Sequence, residues 1–75
     1  MAIVRKLEAQ QLEVEARHSE TDCTYSIVNT PGGPYLQIDT YGSHQRRIPG
    51  KKSQSIRFAP EAVEQLKAIL AMHFA

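Results

Sequence analysis

Residues 23–41 read CTYSIVNTPGGPYLQIDTY, and this stretch decides the fold. Its centre, Thr30-Pro31-Gly32-Gly33-Pro34, is the clearest turn in the chain: proline presets φ, and glycine reaches positive φ at no steric cost. On one side, Cys23 to Asn29 is rich in Thr, Tyr, Ile and Val, which suit a pleated surface. On the other, Tyr35 to Tyr41 alternates, with Leu36, Ile38 and Thr40 opposite Tyr35, Gln37, Asp39 and Tyr41. Two such runs about one tight turn predict an antiparallel hairpin.

Downstream, Ser53 to Phe58 reads as a further strand, with Gln54, Ile56 and Phe58 opposite Ser53, Ser55 and Arg57. Pro60 and Glu61 then open a helix to about residue 74, since proline suits the first helical position and acids suit the positive end of the dipole. Val63, Leu66, Ile69 or Leu70, and Phe74 form its apolar stripe, and its apolar surplus near the C-terminus suits a helix–helix dimer. Upstream, Leu12, Val14 and Ala16 alternate with Glu13, Glu15 and Arg17, which predicts a strand over Gln11 to His18. One helix from Ala2 to Ala16 is the rival, because Glu, Gln, Leu, Ala and Lys are good helix formers. Residues 1–11 read as a helical or a loose arm. The expected class is α+β: a three- to four-stranded antiparallel sheet followed by a C-terminal helix packed on one face. Residues 1–75 make a single domain, with the sheet over 12–58 and the helix over 60–74.

The charge is unevenly placed. The segment from Gly42 to Phe58 holds Arg46, Arg47, Lys51, Lys52 and Arg57 and no acid; these are five of the nine Lys and Arg residues. The other four share the rest of the chain with all eight acids, so a +5 segment faces a −4 remainder behind a net charge of +1. Such a field favours polyanions. Basic side chains neutralise phosphates, and aromatic rings give unpaired bases a surface to stack on. By strand parity Tyr35 and Tyr41 share a face, and Arg57 points away from Ile56 and Phe58. With Leu36 and Ile38 lining the core, the tyrosines and arginines lie on the open face. The candidate nucleic-acid-binding residues are therefore Tyr35, Tyr41, Arg46, Arg47, Lys51, Lys52, Ser53 and Arg57.

Other chemistries fit less well. Gly50-Lys51-Lys52-Ser53 lacks the earlier glycine of a phosphate loop, and a strand follows it where such a loop needs a helix. His18, His44 and His73 fall in three different elements and, with Cys23, show no metal-ligand spacing. No nucleophile–base pairing can be built, and Asp39 is the sole acid between Asp22 and Glu61. The expectation is a non-enzymatic protein without cofactor or metal. No apolar run approaches the roughly 18 residues of a membrane span. A single cysteine suits a reducing compartment, which predicts a cytoplasmic protein. With two Phe, three Tyr and no Trp the core is small, so self-association, most simply a homodimer, is expected.

The segment from Tyr35 to Leu70 resembles the single-stranded-DNA-binding domain of the transcriptional coactivator positive cofactor four and its small bacterial relatives. The resemblance rests on Leu36-Gln37-Ile38-Asp39, Pro49-Gly50-Lys51, Ser55-Ile56-Arg57-Phe58 and Pro60-Glu61-Ala62-Val63, and spans about half the chain. It implies a curved antiparallel sheet, a C-terminal helix and a homodimer whose sheets hold unpaired DNA, with Lys51 on phosphate and Arg57 facing the groove. The chain departs from the family in carrying Lys52-Ser53-Gln54 in place of the second loop glycine. It also lacks the tryptophan often found before that loop, where only Tyr41 can substitute. The competing expectation is a protein-interaction module of phage or mobile-element type, an inhibitor or accessory subunit that docks through the basic loop.

Overall fold

A computed structural model describes residues 1–42 and 52–75. Four strands and one helix follow in the order β1 (Ala2–Val4), β2 (Cys23–Thr30), β3 (Gly33–Thr40), β4 (Gln54–Phe58) and α1 (Pro60–Phe74). The strands form one mixed sheet in the order β1-β4-β3-β2.

The hairpin β2–β3 closes as its sequence predicts. Only Pro31 and Gly32 separate the strands, and the antiparallel register runs from Thr30↔Gly33 to Cys23↔Thr40. The Thr30 hydroxyl accepts from the Gly32 amide (3.2 Å) and donates to the Gly33 carbonyl (2.8 Å), tying the turn to itself. Gly33 has φ +117°, and a Cβ placed there would come within 3.1 Å of Pro60 Cγ. Glycine at this point lets the helix start close on the hairpin. Gly33→Ala is therefore expected to cost about 1–3 kcal/mol, from backbone strain and the Pro60 contact, as read by thermal melting.

β4 pairs antiparallel with β3 through Leu36↔Phe58, Gln37↔Arg57, Ile38↔Ile56 and Asp39↔Ser55. The fourth strand is not the expected one. Residues 11–18 form no strand and are exposed throughout, whereas Ala2–Val4 adds to β4 in parallel, with Ile3 opposite Arg57. Residues 11–18 alternate Leu12, Val14 and Ala16 with charge, but they pair with no strand of the sheet. Ile3 and Val4 are β-branched and lie on a free edge. Nor is residues 1–11 a helix: β1 is followed by an irregular arm, held to α1 where the Leu7 amide donates to Gln65 Oε1 (2.8 Å).

α1 starts at Pro60 without a side-chain cap, and the Ala59 amide donates to the Val4 carbonyl (2.9 Å). The helix packs on the sheet against β3 and β4. Its contact is confined to its first half: Ala59 and Ala62 are fully buried, and Val63, Gln65 and Leu66 are half-buried. From Lys67 onward every residue is exposed, so Leu70 and Phe74, expected in the core, stand in solvent. Among the described residues no helix is long and apolar enough to cross a membrane.

Parity sorts the sheet into two unlike faces. One carries Val4, Tyr25, Ile27, Leu36, Ile38, Ile56 and Phe58, and none of them is buried. The other carries Ile3, Thr24, Ser26, Tyr35, Gln37, Asp39, Ser55 and Arg57, and holds the two buried polar residues, Gln37 and Asp39. The expectation that Leu36 and Ile38 line a closed core is thus corrected. Both are half-exposed, and the polar side chains between them are the covered ones.

Candidate nucleic-acid interface

The polar face is organised around Asp39, whose side chain is 2% exposed. Strand alternation sets Gln37 and Asp39 side by side on β3, and the β3–β4 register sets Arg57 and Ser55 opposite them. The Ser55 hydroxyl donates to Asp39 Oδ1, and Gln37 Nε2 donates to both carboxylate oxygens at 3.1 Å. Lys52 Nζ lies 3.2 Å from Oδ2. The carboxyl is held below its ordinary value, first by the Ser55 hydrogen bond and then by Gln37 and Lys52, against the opposing effect of burial. Both oxygens of this covered anion therefore meet donors, which favours its charged form under the surface.

Gln37 passes this order on. With its amide nitrogen fixed on Asp39, its Oε1 accepts from both Nε and Nη2 of Arg57, the former at 3.0 Å. The guanidinium is gripped on one edge, and among the described residues it has no further hydrogen-bond partner. A planar, fixed guanidinium suits bidentate recognition of phosphate or carboxylate.

The two tyrosines close the ends of this row. Tyr41 is half-buried and meets Thr24 across the hairpin, its Oη 2.8 Å from Thr24 Oγ1. Tyr35 is half-buried near the helix start, where its hydroxyl accepts from Arg5 Nη2 (3.3 Å). Arg5 Nη1 lies 3.6 Å from Glu61, and the Tyr35 hydrogen bond is the main influence raising the Arg5 pKa further. The tyrosines are six positions apart, a run of about 20 Å in extended backbone.

Of the residues expected from the sequence, Tyr35, Tyr41, Lys52 and Arg57 come together along this face. Ser53 stands exposed at the entrance to β4, its amide bonded to the Thr40 carbonyl (2.7 Å). Arg46, Arg47 and Lys51 lie outside the described residues. The sequence reading passed over Gln37, Asp39, Ser55 and Arg5. The signal for the first three was present: a Gln and an Asp two apart, between same-face tyrosines, opposite a Ser and an Arg two apart. Among the described residues no three His, Cys, Asp or Glu side chains converge as a metal site.

No protein-family model, curated protein or solved structure matches the chain. The functional reading therefore stands on this geometry and on the charge distribution.

Proposed function

We propose that the chain is a small binding module for single-stranded DNA or RNA, with little sequence preference, acting in transcription, replication or repair as a cytoplasmic homodimer. The observation that carries this reading is Arg57, pinned by Gln37 on a polar sheet face between Tyr35 and Tyr41, and continuous in sequence with the acid-free basic segment. Arg57 and Lys52 take phosphates on the sheet, Arg46, Arg47 and Lys51 extend the cationic path, and Ser53 adds a neutral donor. The tyrosines offer ring faces to unpaired bases, a sequence-tolerant contact because every base has a π face. Lys52 is shared with Asp39, so its phosphate contact is weaker than that of Arg57. No step of bond-breaking chemistry is assigned.

Fluorescence anisotropy of a labelled single-stranded oligonucleotide, in a salt series with duplex competitor, tests this. Binding of roughly micromolar affinity or tighter, weakening steeply with salt, is expected. Absence of binding at low salt would overturn the reading. It would favour the protein-interaction module, for which the partly exposed apolar sheet face is the supporting observation.

A further inference from the structure

The folded chain exposes 6631 Å². A compact monomer of its 8.4 kDa would expose about 4,600 Å². Its radius of gyration is 14.5 Å, against about 11 Å for a compact domain of this length. Only two alanines are fully buried among the hydrophobic residues described. Part of the excess is the irregular arm between β1 and β2. The rest includes two apolar surfaces that the chain leaves partly or wholly exposed. One is the sheet face of Tyr25, Ile27, Leu36, Ile38, Ile56 and Phe58, where Tyr25 is 75% and Ile27 58% exposed. The other is the outer half of α1, with Leu70, Met72 and Phe74 exposed, the last at 76%.

We infer that these two surfaces belong to one contact: the outer half of α1 lies across the apolar sheet face of a second copy of this chain, and the exchange is reciprocal. Three observations select a second copy as the occupant. The sheet face carries no charged side chain over its four strands, so it offers nothing that would recognise a charged partner or a phosphate backbone. The surface in excess, about 2,000 Å² per chain with the irregular arm included, leaves room for the roughly 1,000 Å² per partner that the smaller obligate dimers remove. And the chain itself supplies the complement, an apolar helical segment free of its own sheet, so that a twofold axis satisfies both deficits with one interface. This deepens the dimer in the proposed function without depending on nucleic acid. Gln37, Asp39 and Arg57 are on the other side of the sheet, so this contact does not involve them.

The test is sedimentation velocity on the whole chain without oligonucleotide, from about 1 to 100 µM. The wild type is expected to sediment at twice the 8.4 kDa chain mass. Ile27→Glu and Leu70→Glu are each expected to shift it to the monomer. Both positions are exposed in the protomer, at 58% and 48%, so either charge can be carried without being buried there. A wild type that is monomeric throughout, or either variant remaining dimeric, would overturn the proposal. Hydroxyl-radical footprinting of the wild type gives a second readout that needs no variant. In an isolated protomer, exposed Tyr25 is modified faster than half-buried Tyr41; in the proposed dimer that order reverses. Unreversed order in a dimer would show that it forms elsewhere, and loss of oligonucleotide binding by a monomeric wild type on Ile27→Glu would give the face to nucleic acid.

Discussion

Asp39→Ala is expected to lower the melting temperature by about 10 °C, more than any other single change on the polar face. The carboxylate is the acceptor for the Ser55 hydroxyl and for both hydrogen bonds of the Gln37 amide. Removing it leaves those donors covered and unpaired, and an unmade hydrogen bond in a covered place costs more than a made one contributes. The Lys52 ammonium loses its partner too, but it is half-exposed and water replaces the carboxylate there at little cost. The same carboxylate gives a pH signature. Its pKa is lowered in the folded state, so the unfolded chain binds the proton more readily. Its contribution is fully present well above the ordinary value of 3.8 and is lost as pH falls through that value toward the folded pKa. Thermal melts from pH 7 down to about pH 3 should show a steeper acid decline for wild type than for Asp39→Ala. Equal melting temperatures at neutral pH, or superimposable acid declines, would show that the network holds neither the sheet nor Arg57.

The elements legible in the sequence were those whose signals are local. Pro31-Gly32-Gly33 between two β-rich runs fixes a hairpin whatever lies around it, and Pro60-Glu61 before a stripe at helical spacing fixes the start of α1. Strand parity places Tyr35 and Arg57 on one face, as the register has them, while Tyr41 lies one residue beyond β3. What failed depends on partners remote in sequence. Leu12, Val14 and Ala16 alternate as a strand does, but alternation supplies no edge to pair with, and residues 11–18 remain irregular. Ala2–Val4 is too short to show any period, yet β4 offers it an edge. The face assignment failed for a related reason. Hydropathy puts Leu36 and Ile38 inside, whereas Gln37 and Asp39 are covered because each satisfies a neighbour across the strands. A polar network of this kind is visible to the sequence only as a pattern of pairs, after the register is known. The half-buried α1 stripe carries the same lesson, since spacing shows that Leu70 and Phe74 seek an apolar surface but not whose surface it is.

Replacing Arg46, Arg47 and Lys51 together with alanine is expected to weaken binding of a single-stranded oligonucleotide roughly a hundredfold near 0.1 M salt, and to lower the slope of log affinity against log salt by about 2. Each phosphate contact on a single strand contributes about 0.7 to that slope through released counterions, so the slope counts contacts while the affinity sums all contributions. This separates the parts of the interface. Arg57→Ala should remove one contact's worth of slope. Gln37→Leu leaves the Arg57 charge in place and removes only what orients it, so affinity should fall several-fold with the slope nearly unchanged. Tyr41→Ala should cost about 1–3 kcal/mol of stacking, again with the slope unchanged. An unchanged slope in the triple variant would detach the basic segment from the ligand, whatever the affinity did. A slope lost with Gln37→Leu would mean that Arg57 had been displaced rather than unpinned, and melting temperatures measured on the same samples tell these apart. The prediction is strongest in its asymmetry: charge set by the segment, orientation set by Gln37 and Asp39, and two different measurements that should move independently.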